Sequence, residues 1–214
     1  MDKGAKDRPL VAIVYYSFSN QTAKLVHHLR KGFRSEGFDV ETVKLVPRDR
    51  LTFPLHSVPK TIAMMLKTFF RKRVPIKEID TSPIEKASLV VLAGPTWSYN
   101  PSGPVLSFLD KYAPILAGKD VQPVISCRKY WRTHYGYLKK KIERAGGRAR
   151  DPFVFTHNVK EPWSTIGTFM TIAGINPKQH ALMRKYYPRY GHNHTQLVEM
   201  EKKARDLAKS LASN

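Results

Sequence analysis

The sequence predicts an α/β chain built on a doubly wound, parallel five-stranded sheet with two insertions. Three observations predict it. Strand-like and helix-like segments alternate, the order that yields βαβ units with helices on both sheet faces. The strand-like runs are apolar along much of their length, as strands buried on both faces must be. Both long departures from the alternation are confined to two stretches, so right-handed crossovers leave few topologies for the rest. At 214 residues the chain suits one domain with insertions, residues 1–214.

The elements follow in order. Leu10 to Tyr16 is a continuous β-branched and aromatic run, the first strand. Residues 21–35 form a helix with Leu25, Val26, Leu29 and Phe33 on one face, and Gly37 ends it. Phe38 to Val46 is the second strand, through Val40, Val43 and Leu45. The third is Leu89-Val90-Val91-Leu92-Ala93, stopped by Gly94-Pro95. A helix over 102–116 sets Val105, Phe108, Leu109 and Tyr112 on one side. Asp120 to Cys127 is the fourth strand, a helix at 134–145 ends at Gly146-Gly147, and Ala149 to Thr156 is the fifth strand. The last helix, 195–212, carries a stripe of Leu197, Met200, Ala204, Leu207 and Leu211. Residues 47–87 and 157–194 exceed what a minimal pattern needs and are rich in Lys, Arg, aromatics and Pro. They are expected as insertions on the same core.

Composition narrows the function classes. With 42% hydrophobic and 25% charged residues the chain belongs with folded, not disordered, sequences. No apolar run approaches the ~20 residues of a membrane span, and Met1 to Pro9 hold no apolar secretory segment. Cys127 is the one cysteine, which excludes an internal disulfide framework and a multi-cysteine metal site. A reducing, cytoplasmic location is the expectation. Lys and Arg number 37 against 17 Asp and Glu, a formal charge of +20. Such a balance points to an anionic partner: a membrane surface, a phosphorylated ligand or nucleic acid.

The loop after the first strand is Ser17-Phe18-Ser19-Asn20-Gln21-Thr22. It holds three hydroxyls, no acid, and opens a helix. In doubly wound sheets ligands bind beyond the carboxyl ends of strands, where strand order reverses. Free backbone N–H groups and the positive end of a helix dipole suit an anion there, and hydroxyls add donors without bulk. The plainer reading is an N-cap supplied by Ser19 or Asn20.

Ser-x-Ser-x-x-Thr directly after an apolar first strand resembles the phosphate loop of the flavodoxin family, and no G-x-G-x-x-G dinucleotide fingerprint is present. The third-strand end, Gly94 to Pro104, resembles that family's flavin-ring loop, and Ser126 to Trp131 stands where the family places a third FMN-facing loop. The resemblance covers most of residues 10–156 and the final helix. It implies the strand order 2-1-3-4-5 and FMN as cofactor. It further implies that Ser17, Ser19, Asn20, Gln21 and Thr22 hold the phosphate. Pro95, Thr96, Trp97, Ser98, Tyr99, Asn100 and Gly103 then line the isoalloxazine, with Trp97 and Tyr99 as stacking partners. Cys127, Arg128, Tyr130 and Trp131 complete the site, Tyr130 or Trp131 on the other flavin face. The alternative for Trp97 is core filling. Electron carriers of the family often place glycine beside flavin N5; here Ser98-Tyr99-Asn100 stands instead, and only Asn100 takes a left-handed backbone easily. Weak stabilisation of one-electron-reduced flavin and two-electron turnover are therefore expected.

Outside those loops the signals are weaker. No Ser/His/Asp triad spacing is apparent, and Cys127 at a strand end reads as a small hydrophobe rather than a nucleophile. His192-x-His194 reads as exposed loop histidines rather than metal ligands, and no metal is expected. His27-His28 reads as a partly solvated helix face. Pro59 to Arg73 is a basic amphipathic segment with Ile62, Met65, Leu66, Phe69 and Phe70 at helical spacing. It suits either an anionic membrane interface, through Lys60 to Arg73, or a helix packed over the pocket with its apolar face in the core. The second insertion carries Trp163, Phe169 and Met170, then Lys178, His180, Arg184, Lys185, Tyr186, Tyr187, Arg189 and Tyr190.

The expected function is an FMN-dependent oxidoreductase acting by two-electron transfer on a small, quinone-like or otherwise apolar substrate near a membrane. NAD(P)H is the candidate reductant, although no nicotinamide fingerprint exists. The alternatives are an FMN electron-transfer protein with an anionic partner, and a flavin-free scaffold that binds anionic membrane or, less favoured, nucleic acid.

Overall fold

The computed structural model describes residues 8–188 and 190–213; Met1 to Asp7 and Arg189, both part of the sequence reading, lie outside the described residues. In chain order the elements are β1 (Leu10–Tyr15), α1 (Gln21–Ser35), β2 (Asp39–Lys44), α2 (Val58–Phe69), α3 (Ser82–Lys86), β3 (Leu89–Trp97), β4 (Asn100–Pro101) and α4 (Gly103–Tyr112). After a short 3-10 turn come β5 (Asp120–Cys127), α5 (Arg132–Arg144), β6 (Arg148–Ala149), β7 (Phe153–Thr156), α6 (Trp163–Ala173), α7 (Ala181–Tyr186) and α8 (His194–Ala212). The parallel sheet runs β2-β1-β3-β5-β6, with β7 paired to the far end of β5 and β4 turned back antiparallel on β3.

The all-apolar first strand has a direct cause. Val11 and Ile13 face a core formed with Leu25, Leu29 and Phe33 of α1 and Met200 and Ala204 of α8, while Ala12 and Val14 face Phe108, Leu109, Leu138 and Ile142 of α4 and α5. Alternate side chains of a strand point to opposite faces, so a strand between two helical layers needs apolar residues at every position. Gly32 lets α1 and α8 approach closely; a Cβ there would meet the Glu201 carbonyl oxygen at 2.4 Å and the Ala204 Cβ at 2.5 Å.

The sequence reading needs two adjustments here. The third strand does not stop at Gly94-Pro95. It continues to Trp97, with Pro95 in register opposite Ser126, and reverses through Ser98-Tyr99 into β4. The expected fifth strand, 149–156, is divided into β6 and β7, which both pair with β5 on either side of Arg150-Asp151-Pro152. Proline lacks the N–H a ladder requires. The topology otherwise matches order 2-1-3-4-5, with β6 and β7 together as the fifth position.

Both long connections come back over the carboxyl ends of the strands. Residues 47–77 leave and return beside one another: Pro47 bridges Ile76, Arg48 N–H donates to Pro75 O at 2.8 Å, and Lys77 N–H donates to Val46 O at 2.8 Å. Leu55 N–H donates to Ile172 O at 2.7 Å, joining this connection to α6. Helix α2 is oriented against its own hydrophobicity. It buries Thr61 and Thr68, and leaves Ile62, Leu66, Phe69 and the following Phe70 exposed by 48, 57, 55 and 75%. The packing of its apolar face into the core, one of the two expectations above, is thus overturned. Among the described residues no helix is long and apolar enough to cross a membrane.

Candidate functional site

A cavity of about 300 Å³ opens at the carboxyl ends of β1, β3 and β5, roofed by α2 and α6. That volume lies at the lower end of small-molecule sites, roughly 300–1,000 Å³. The loop from β1 into α1 forms one wall. Asn20 takes a left-handed conformation (φ 60°) and turns the chain into α1 without a side-chain cap. Ser17 Oγ accepts from Ala23 N–H at 3.1 Å, so Ser17, not Ser19 or Asn20, supplies the capping contact. The amides of residues 18–22 donate to no acceptor among the described residues. Those of 20–22 are orphan donors of a helix start, those of 18 and 19 precede it, and all lie in the same loop as the Ser17, Ser19 and Thr22 hydroxyls.

The second wall comes from β3. Thr96 Oγ1 lies 2.8 Å from His134 Nδ1. Trp97 meets Tyr16 and Phe18 edge-on, with centroids 5.6 and 5.5 Å away, and still lines the cavity. It is therefore partly core-packed. The Ser98-Tyr99 turn has positive φ at both positions, 44° and 71°, the geometry of a two-residue hairpin. The expectation that Asn100 would carry the left-handed backbone is thereby corrected. The turn is clamped by α2. Ser98 Oγ donates to Met65 O at 3.0 Å and meets Thr68 Oγ1 at 2.8 Å, and Asn100 Nδ2 donates to Ser98 O at 3.0 Å and to Phe69 O at 3.0 Å.

The third wall is Ser126, Cys127 and Arg128, with His157 just after β7 and Tyr190. Tyr190 Oη donates to Ser19 Oγ at 2.9 Å, His192 N–H donates to Gln21 Oε1 at 3.0 Å, and His192 Nε2 meets Ser126 Oγ at 2.8 Å. Gly191, at φ 86°, lies so close to Gln21 that a Cβ would come within 2.1 Å of its amide. His157 sits against both Tyr190 and His192, with ring centroids 5.3 and 5.5 Å away. Burial sets the charge state of this wall. It lowers His157 to about 4 and His192 to about 3, and raises the Cys127 thiol and the Tyr190 phenol to about 12. At neutral pH these groups are uncharged. Arg128 is the cation of the lining; it donates to Thr165 Oγ1 and lies 4.0 Å from Glu161.

Of the residues singled out from sequence, Ser17, Ser19, Gln21, Thr22, Pro95, Thr96, Trp97, Ser98, Cys127 and Arg128 line this one cavity. Six stand apart from it. Asn20 shapes the loop from outside, and Asn100 is spent on α2. Gly103 packs against Val74, which a Cβ would meet at 2.5 Å. Tyr99 and Tyr130 pair with each other, centroids 5.1 Å apart, and are exposed. Trp131 caps α5 and packs on Tyr135. His192 is buried rather than exposed, while His194 opens α8 at the surface, so the pair does not converge. No cluster of three metal-ligating side chains occurs among the described residues. Sequence reasoning missed Met64, Met65, Thr68, His157, Ile166, Phe169 and Tyr190 as cavity lining. All of these lie within the two insertions, His157 as the first residue of the second. The one sequence signal there was the apolar and aromatic content of the two insertions.

No protein-family model matches the chain, and no curated protein does. Solved structures do match in fold. A flavodoxin from the domain Archaea superimposes with a TM-score of 0.57 at 14% identity, over 95% of this chain and 99% of that one. A flavoprotein from Lactobacillus acidophilus, solved in complex with FMN, gives 0.54 at 18% identity over 68 and 93%. A WrbA-like flavodoxin from Agrobacterium tumefaciens gives 0.53 at 12% identity over 96 and 98%. The fold is flavodoxin-like.

Proposed function

We propose that the cavity binds FMN and that the protein is an FMN-dependent oxidoreductase with an apolar, quinone-like substrate. One observation carries the reading: unpartnered amides and hydroxyls at 17–22 open on the same cavity as Trp97. The donor set fits a phosphate. Ser17 Oγ and Ser19 Oγ each accept one bond from the protein, which leaves their own protons to donate. The loop has no carboxylate to repel the anion. Solved relatives in fold are flavoproteins, one of them holding FMN. Bound FMN supplies the redox chemistry, and the chain's task is to orient it and exclude water.

The substrate side is apolar. Met64, Met65, Ile166, Phe169 and Ile172 roof the cavity, and neutral His157 also lines it. The clamped Ser98-Tyr99 turn favours two-electron exchange, because the Ser98 carbonyl is already held by Asn100 and is not free to reorient toward the cofactor. NAD(P)H is proposed as reductant. An electron-transfer protein with an anionic partner is the second reading, favoured by the +20 charge.

The outward face of α2 supports work at an anionic membrane surface. Exposed Ile62, Leu66, Phe69 and Phe70 are flanked by Lys60, Lys67 and Lys72, and each cation near such a surface contributes about 1 kcal/mol. The purified protein is expected to show flavin absorbance and to release FMN on denaturation. Ser19→Asp, which sets a carboxylate against the phosphate, is expected to weaken FMN binding about 100-fold or more. A colourless protein that takes up no added FMN would overturn the reading. NADPH-dependent quinone turnover separates the enzyme from the electron carrier.

A further inference from the structure

We infer a second ligand site, beside the first along α2, for a small amphiphilic anion: an apolar chain or ring bearing a phosphate or carboxylate. A second cavity of about 430 Å³ lies between α2 and the 49–55 and 72–75 segments. Its floor is Phe18 and Trp97, and Leu55, Met64 and Val74 form its walls. Its rim carries Lys60, Lys67, Lys72 and Arg73 against one carboxylate, Asp49. Arg73 is already committed to Asp110 at 2.6 Å. The three lysines form no ion pair among the described residues.

The arrangement follows from helical spacing. Lys60, Ala63, Met64 and Lys67 stand at i, i+3, i+4 and i+7, one stripe of α2. That stripe is neither the buried Thr61/Thr68 side nor the exposed Ile62/Leu66/Phe69 side, so α2 has three distinct faces. An apolar floor beneath uncompensated ammonium groups fits a molecule that is apolar at one end and anionic at the other. A neutral lipid leaves the cations unused, and a cationic one meets repulsion. A dianion without an apolar body leaves the floor uncovered. Trp97, Phe18, Met64 and Thr68 line both cavities and form the partition between them. The second ligand would therefore touch Trp97 from the side away from the first cavity. This inference is independent of flavin binding.

Titration of the purified protein with decyl phosphate, below its micelle concentration and without vesicles, tests it. The heat of binding and the tryptophan fluorescence are followed, with decanol and decyltrimethylammonium as controls. Saturable one-to-one binding of decyl phosphate is expected, at least tenfold tighter than either control. Lys67→Gln/Lys72→Gln, at exposed positions, is expected to weaken it about tenfold. Ala63→Trp fills the mouth from an exposed position and is expected to abolish binding with an unchanged thermal melt. Leu66→Ser, on the outward face, is expected to leave it intact. Equal binding of the three probes, or full binding by Ala63→Trp or by the double lysine variant, would overturn the site in favour of adsorption on exposed apolar surface. So would binding that appears with vesicles alone.

Discussion

The first insertion turns threonines toward the sheet and isoleucine, leucine and phenylalanine toward solvent, whereas the second turns Tyr190 and His192 inward onto the loop that opens α1. Both roof the same cavity. The second is held by directional bonds to that loop: Tyr190 to Ser19, His192 to Gln21 and to Ser126. The first touches the sheet through the β3–β4 turn, where Ser98 and Asn100 meet the carbonyls of α2. Polar groups that leave water need partners, and Tyr190 Oη, His192 N–H and His192 Nε2 find theirs in the site itself, so this part of the second insertion belongs to the site. In α2, Thr61 donates to Ser57 O at 2.8 Å and Thr68 to Met65 O at 3.0 Å. Its polar side is thus satisfied locally, and its apolar side remains available to something outside the chain.

The contact between the second insertion and the 17–22 loop is tightest at Gly191. Gly191→Ala forces a Cβ into the Gln21 amide at a backbone angle that L residues rarely adopt, and is expected to cost about 3 kcal/mol or more. Urea unfolding measures that loss, and faster release of FMN is expected alongside it. A variant as stable as the parent would show that the second insertion is not latched to the 17–22 loop.

Acid should act on the second insertion next. Burial lowers His157 and His192 in the folded protein, to about 4 and about 3, from an ordinary value near 6.5. Unfolding then takes up protons between those limits, so stability is complete above pH 6.5 and falls as pH drops toward 3. Each proton taken up steepens the fall by about 1.4 kcal/mol per pH unit. His134, lowered to about 3 by burial beside Thr96, adds to the same slope. Chemical unfolding at several pH values measures it, and His192→Gln is expected to flatten it.

The smallest effect on stability should come from the first insertion. Leu66→Ser lies on an exposed surface and is expected to change unfolding free energy by less than about 0.5 kcal/mol. The same change is expected to reduce sedimentation with anionic vesicles several-fold, since burying a leucine contributes roughly 1.5–3 kcal/mol. Unchanged vesicle binding would remove α2 from the membrane reading while leaving the fold untouched.

Much of the sheet was legible in the sequence. Residues 21–35 and 120–127 are helix and strand with the boundaries read from Leu25, Leu29 and Phe33 and from the run ending at Cys127, because period and burial agree there. The third strand ran past its expected stop because β5 continues beside it, and a neighbouring strand in register outweighs a local Gly-Pro signal. Ten residues of the three loops do converge on one cavity, since strand ends in a parallel sheet must. Tyr99, Asn100, Tyr130 and Trp131 do not join them. Asn100 is turned to α2, a helix drawn from residues about 30 positions earlier, while Tyr99 pairs with Tyr130 and Trp131 packs on Tyr135. The burial of His192 was equally unreadable, for it rests on Ser126 and Gln21, 66 and 171 positions away.

What the sequence determined by itself was the alternation of strands and helices, and with it a parallel sheet whose first loop has donors and no acid. Those features are local: hydrophobic period, chain-stop residues and the absence of carboxylates act within a few positions of one another. Only the tertiary structure decided which way the insertions face. For α2 the same amphipathic pattern serves a buried or an exposed apolar side equally well, and the choice falls to its neighbours. The turn at Ser98 and the carbonyls it satisfies take the threonine side, and the leucines and phenylalanines are left outside.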